Sequence, residues 1–351
     1  MAKKKSKSSS FKLVLLAILG IGTLAALLFG YHFYSYIYSG NVKLDDEQTV
    51  FFIPTGSDYD NVFAELQKQK IIHNPESFHW VAEKKNYPNK IKPGRYIILD
   101  GWNNEELVDH LRSGNQSPIK ITFHNISRLT QLASVVSKQI EADSSELINA
   151  FLNPKWMSEN NLKKETVQSI FIPNTYELYW NTSGEQFVKR MHQEFLHFWS
   201  KENKAKAKKI GLSPVQVATL ASIVEAETKK SDEMPKVAGL YLNRLKIGMR
   251  LQSDPTVVFA INKPNVHRVY YEDLKIKSPY NTYIHTGLPP GPIGFPSTKA
   301  LNAVLNRDQN NYIYMCAKPD YSGYHNFAKN YSQHQKNAAK YRAFLKREGI
   351  R

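Results

Sequence analysis

The run Ser213-Pro214-Val215-Gln216-Val217-Ala218-Thr219-Leu220-Ala221-Ser222-Ile223-Val224-Glu225-Ala226-Glu227-Thr228 decides how the larger part of this chain is read. Ser213 in the N-cap place, followed by proline at the first helical position, predicts a helix from about Pro214 to Lys229. At 100° per residue, Val217, Leu220, Ala221, Ile223 and Val224 gather on one broad apolar face. With Val217 at zero, Glu227 falls at about 280°, inside that face, and Glu225 at about 80°, beyond its edge. The two carboxylates therefore have different surroundings. An ionised glutamate on an apolar stripe is costly, so Glu227 is expected to be paired or to carry a raised pKa, as a general acid near neutral pH requires. On periodicity alone, a salt bridge to a basic neighbour is the plainer account of Glu227.

Downstream, Ala238 to Leu245 reads as another helix, and Gly248 to Thr256 as a polar turn. Two further loops follow: Ser278-Pro279-Tyr280-Asn281-Thr282-Tyr283 and Thr286-Gly287-Leu288-Pro289-Pro290-Gly291-Pro292-Ile293. Amides and hydroxyls pair with sugar hydroxyls while aromatic faces accept apolar ring faces, so this content suits carbohydrate, whereas ordinary Pro/Gly turns would explain only the shapes. Upstream, Ile119 to Phe123 alternates as a strand, and Leu129, Leu132, Val135, Val136 and Ile140 form a helical face. Phe171 to Tyr176 reads as a loop, and Phe187 to Ala207 as one long helix with Phe195, Phe198 and Trp199 inward. A domain is placed at 119–351.

An earlier module, 45–118, has its own signals. Thr49 to Pro54 reads as a strand, Ser57 to Asp60 as the cap of a helix, and a second helix starts near Pro75. Lys92-Pro93-Gly94-Arg95 turns into the strand Tyr96 to Leu99, and Asn103 to Glu106 caps a helix that stops at Ser113-Gly114. This small α+β order resembles LysM-like modules that bind N-acetylglucosamine chains; a structural spacer is the alternative.

Leu13 to Tyr31 holds no charged residue, and Lys3, Lys4, Lys5, Lys7 and Lys12 precede it. At 1.5 Å per residue the run spans about 28 Å, close to the ~30 Å hydrocarbon layer, and Tyr31, Phe33, Tyr34, Tyr36 and Tyr38 follow as an interfacial belt. A transmembrane helix over 13–35 is predicted, with residues 1–12 as a cytoplasmic basic tail and the rest outside the inner membrane. A cleaved signal peptide is the rival, but the run is longer than a usual signal core and no small-residue cleavage site follows.

The chain has 351 residues, 42% of them apolar, enough for two cored domains. Its net charge of +16 suggests nucleic acid until the charges are located; with the basic tail at a membrane and the remainder outside it, a nucleic-acid partner is not expected. One cysteine, Cys316, excludes an internal disulfide. The histidines show no HExxH or similar spacing, and no P-loop, dinucleotide fingerprint or Gly-x-Ser-x-Gly elbow occurs, so neither metal nor cofactor is expected.

The Ala221 to Thr228 run resembles the signature of the endolytic murein transglycosylases of the MltG, or YceG-like, family. So do Asn243-Arg244-Leu245, Leu251-Gln252-Ser253-Asp254-Pro255-Thr256, Tyr280 to Tyr283 and Thr286 to Ile293. Phe171 to Tyr176, with Asn174 in an acidic place, and Gly323-Tyr324-His325-Asn326-Phe327 with His334 are similar to two more family stretches. The resemblance implies an α+β fold: a single anchor, a small module and a catalytic domain with a helix-borne glutamate. It implies a peptidoglycan lytic transglycosylase, a lyase that cleaves the MurNAc-GlcNAc bond within nascent strands and leaves 1,6-anhydro ends. Glu227 is the expected acid and then base, with Glu225 as rival or support. Gln252, Ser253, Asp254, Tyr280, Asn281, Thr282, Tyr283, Gly287, Pro289 and His325 are the expected substrate-binding residues, with His325 as readily structural. Glycan strands and membrane peptidoglycan synthases are the implied partners. The alternatives are a non-catalytic wall-binding protein and a hydrolase on the same site.

Overall fold

The computed structural model describes residues 7–263 and 269–349. Lys3, Lys4 and Lys5 of the basic tail lie outside the described residues. The chain divides into two compact units, the first running to Ile119 and taking in Tyr179–Asn181, the second holding the remainder from Lys120. The architecture is mixed α+β, its three sheets each an antiparallel or two-stranded pair among the described residues.

Helix α1 (Lys7–Tyr38) contains the apolar stretch Phe11–Tyr38, long and apolar enough to cross a membrane, with the side chains of residues 11–31 exposed. It is followed by the rest of the first unit: β1 (Gln48–Ile53), α2 (Tyr59–Lys68), α3 (Pro75–Lys84), β2 (Gly94–Leu99) and α4 (Asn104–Ser113). β1 and β2 pair antiparallel, with Phe51 opposite Tyr96, and both rings are buried with Leu66, Phe78 and Leu107. Capping boxes at Asp58 and Asn103 start α2 and α4, and Gly114 ends α4 in the left-handed conformation that a side chain resists. Where the chain leaves α1, a buried amide network closes over it. The Asn104 amide donates to the Tyr36 carbonyl at 2.8 Å and to Ser77 Oγ at 2.9 Å. Asn41 donates to Asn104 Oδ1 at 2.7 Å and accepts the Asn74 N–H at 2.6 Å, while Trp80 packs on Phe33 at 5.0 Å.

In the second unit, β3 (Ile119–Phe123) pairs with β4 (Asn174–Leu178), with α5 (Leu129–Val136), α6 (Ser144–Phe151) and α7 (Pro154–Glu159) between them. The segment 171–176, expected to be loop, thus enters a strand at Asn174. Thr122 and Thr175 share a hydroxyl bond of 2.7 Å there. The long helix expected over 187–207 is two, α8 (Gly184–Phe198) and α9 (Lys201–Lys209). Trp199 leaves helical geometry to bury its ring, and Ser200 caps the new helix by accepting the Asn203 N–H.

Helix α10 (Pro214–Glu227) opens with a capping box at Ser213 and is buried without interruption from Val217 to Val224. The one-faced stripe read from the sequence is therefore too narrow. Ala218, Thr219 and Ser222 are small enough to let neighbours close on the remaining sides. Those neighbours are α9, α11 (Met234–Lys246), α12 (Asp254–Ile261) and α13 (Thr298–Leu305). Thr219 and Ser222 return their hydroxyls to the Val215 and Thr219 carbonyls, so neither carries an unpaired group into the core. The turn expected through Thr256 becomes helix from Asp254. In the 286–293 loop Gly291 passes so close to the Glu165 carbonyl that a Cβ would lie 1.8 Å from it. A hairpin of β5 (Tyr314–Ala317) and β6 (His325–Ala328) and helix α14 (Tyr331–Arg347) complete the unit.

Candidate active site

Glu227 is the last residue of α10. The helix thus ends two residues before the Lys229 end expected from sequence, Thr228 leaves it in extended geometry, and the Glu227 side chain projects from a helix terminus fixed by its buried shaft. Tyr241 of α11, itself 1% exposed, donates its hydroxyl to Glu227 Oε1 at 2.8 Å, and Ser253, fully buried, donates to the same oxygen. No cation pairs with Glu227 among the described residues, so the salt-bridge account of this residue finds no partner. Burial pushes its pKa above the usual carboxylate range, and the nearby Asp254 charge adds to the rise; the Ser253 and Tyr241 hydroxyls and His325 pull the other way. The balance leaves a carboxyl that holds its proton to higher pH than a solvated glutamate.

That rise has a sign that stability measurements can read. The unfolded chain gives up this proton near 4.5, and the folded chain retains it to higher pH. Stability from this group is thus complete below 4.5 and declines as pH climbs through the folded value. Glu227→Gln is expected to remove that decline. Melting temperatures of the two proteins should converge at low pH and separate in favour of the variant toward neutrality.

Glu225 goes to the other side of the helix, where its Oε2 accepts the Ser297 N–H at 2.9 Å and so fastens α10 to the start of α13. Anions at a helix N-terminus are favourable, which accounts for a carboxylate at this position. Glu225→Gln keeps an acceptor for Ser297 and is expected to cost less than about 1 kcal/mol and to change turnover less than about threefold. A loss of activity matching that of Glu227→Gln would reverse the two assignments.

The 251–256 and 278–283 segments interlock beside Glu227. Ser253 N–H donates to Thr282 Oγ1 at 3.0 Å, Thr256 and Thr282 share a hydroxyl bond at 2.8 Å, and Gln252 N–H reaches the Thr282 carbonyl at 3.1 Å. Tyr283 donates to Asp254 Oδ1 at 2.5 Å, and both burial and this carboxylate raise its pKa. Gln252 takes a positive φ of 49° and exposes its side chain. Asn281 is fully buried and spends its amide on the Leu274 and Ile276 carbonyls, so it shapes the loop from within. Tyr280 packs against Phe259 at 4.8 Å. Gln252, Gly287 and Pro289 make no hydrogen bond to the Glu227 carboxyl; Pro289 is buried and Gly287 holds φ +82° at its turn.

His325 meets a residue that the sequence reading passed over. Buried Glu233 accepts the His325 N–H at 2.7 Å and its Nδ1–H at 2.8 Å, and the Thr228 hydroxyl at 3.0 Å. One carboxylate thus joins β6, the entry to α11 and the residue next to Glu227. Tyr241 and Glu233 were missed because each reads as an ordinary member of the α11 region; only the partner's position reveals them. Arg244, from the quoted Asn-Arg-Leu motif, donates to the Ile313 carbonyl at 2.7 Å and the Leu251 carbonyl at 2.5 Å, which seats the segment leading into α12.

Comparison with known proteins adds an independent finding. The YceG-like family matches residues 51–340. An endolytic murein transglycosylase of Bacillus subtilis strain 168 is 30% identical over 319 residues, which cover 86% of this chain and 87% of that protein. An endolytic murein transglycosylase of Streptococcus pneumoniae strain R6 is 27% identical over 366 residues, with 94% of this chain and 64% of the relative covered. The crystal structure of a yceG-like protein from Listeria monocytogenes superposes with a TM-score of 0.55 at 24% identity, covering 83% of this chain and 98% of that one, which shows a shared fold.

Proposed function

Because this chain belongs to the YceG-like family, we propose that it is a lytic transglycosylase of peptidoglycan, cutting within glycan strands at the bond between N-acetylmuramic acid and N-acetylglucosamine. The observation that carries the reading is the Glu227 carboxyl, unpaired with any cation among the described residues, raised in pKa and held by two hydroxyls at a fixed helix end. Two carboxylates are the common need of glycosidases, whereas this reaction needs one group in two successive states.

Protonated Glu227 gives its proton to the bridging oxygen as the bond from that oxygen to the muramic anomeric carbon breaks. The muramic 6-hydroxyl oxygen then bonds to that carbon, and its proton passes to the Glu227 carboxylate. The acid is restored, no water enters, and the product carries a 1,6-anhydro end. Tyr241 and Ser253 contact Oε1, which leaves Oε2 for the substrate. In the ionised interval the same two hydroxyls stabilise the carboxylate. Incubation of the protein with uncrosslinked strands should release anhydro-ended fragments. Products heavier by one water would make it a hydrolase, and no product would make it a wall-binding protein.

Helix α1 serves in this reading as a single membrane anchor, with the basic N-terminus cytoplasmic and both units outside the inner membrane. The first unit is a LysM-like module, and membrane peptidoglycan synthases supply the strands.

A further inference from the structure

A cavity lies at the far end of the helix that begins beside the acid. Helix α12 starts one residue after Ser253, and Phe259 and Asn262 at its far end line a cavity of about 600 Å³ together with Arg128, Lys164, Glu165 and Tyr280. Five residues of helix separate Asp254 from Phe259, about 7.5 Å along the axis, a reach of one to two sugar rings. The same loop reaches both places: Tyr280 lines the cavity, and Thr282 and Tyr283 hold Ser253 and Asp254. The volume falls in the range of small-ligand sites.

Its chemistry differs from that around Glu227. The Arg128 guanidinium lies over the Phe259 ring at 4.5 Å and donates one Nη2–H to the Phe259 carbonyl at 2.9 Å, a geometry that fixes its plane while its other N–H groups meet no acceptor among the described residues. Phe259 and Tyr280 stand 4.8 Å apart and tilted at 50°, both partly exposed. Lys164 is exposed and pairs with no carboxylate among the described residues. Among the described residues of the lining Glu165 is the one acid, so Arg128 and Lys164 leave that lining net positive. Burial lowers the Arg128 pKa, the mark of a cation short of water.

We propose that this cavity binds a carboxylate borne by the glycan strand, with Arg128 and Lys164 as the anion contacts and the Phe259–Tyr280 pair as the platform for the neighbouring ring. The proposal rests on the glycan reading of the Glu227 site and deepens it. Muramic residues carry carboxylates in two forms: the lactyl group when free, and the acidic peptide when the lactyl group is amidated. A chain of N-acetylglucosamine carries none.

The test measures binding to the full chain bearing Glu227→Gln, using peptide-bearing muramyl strands, the same strands stripped of peptide, and N-acetylglucosamine oligomers. Adding Arg128→Gln should weaken binding of the anionic strands about tenfold, and adding Lys164→Gln about threefold, with the losses shrinking at high salt and the uncharged oligomers unaffected. Loss confined to the stripped strands assigns the free lactyl carboxylate, loss confined to the peptide-bearing strands assigns the peptide, and loss on both muramyl probes shows that the site takes either carboxylate. Equal losses on all three probes, or no loss with either variant, would overturn the proposal. Lys164 is on the surface, so its variant tests the site even if Arg128→Gln loosens the end of α12. A Glu227→Gln protein that still cleaves strands would remove the catalytic assignment while leaving this binding result standing; one that binds no muramyl strand removes the premise of both.

Discussion

Glu227→Gln is expected to lower turnover of peptidoglycan strands by about a thousandfold, the middle of the range that a single positioned acid–base group supplies. The amide cannot donate a proton to a leaving oxygen or take one from an attacking hydroxyl, so both halves of the proposed reaction fail together. The fold should survive. The substituted side chain presents an oxygen to the hydroxyls of Tyr241 and Ser253 in the same place, and it resembles the protonated acid that burial already favours. Anhydro-ended products counted by mass spectrometry, with a melting curve on the same preparation, separate loss of chemistry from loss of structure. Turnover within tenfold of the parent would remove Glu227 from the reaction.

The second large effect concerns Glu233. Its carboxylate accepts three hydrogen bonds in a site 4% exposed, and truncation to alanine leaves the His325 backbone and ring donors and the Thr228 hydroxyl without that partner. Hydrogen bonds to a charged acceptor are each worth roughly 1.5–3 kcal/mol, and breaking a buried pair costs ~3–5 kcal/mol, so Glu233→Ala should destabilise the second unit by about 3 kcal/mol. Chemical denaturation would measure it. Turnover should fall as well, because Thr228 is the residue that fixes how the chain leaves Glu227. Glu233→Gln keeps the acceptor toward two of the three donors and should recover most of the stability. An alanine variant that unfolds at the parental denaturant midpoint would show that the three bonds contribute nothing.

The helices were legible where local chemistry alone decides them. Ser213-Pro214, Asp58 and Asn103 place their helix starts without tertiary help because a cap is satisfied within four residues. The interruption at Trp199 was not legible, since the sequence on either side is helix-compatible and only the burial of that indole breaks it. For α10 the apolar period was visible, but the burial of the small residues between its members was not. The asymmetry between Glu225 and Glu227 was legible from the helical wheel; their partners, Ser297 and the pair Tyr241 and Ser253, lie 72, 14 and 26 residues away. His325 was visible as a motif residue, but no pattern in the sequence joins it to Glu233 across 92 residues.

The buried amides around Asn41 and Asn104 give the first unit no swivel. α1 runs to Tyr38, the Asn104 amide grips the Tyr36 carbonyl, and the chain is paired again at Gly40 with Asn103 and at Val42 with Ile72. With α1 as the proposed anchor, there is no slack cord between bilayer and module: the stalk and its head are one piece. In that reading the head inherits the tilt of the stalk, and its height above the lipid is set by where α1 ends.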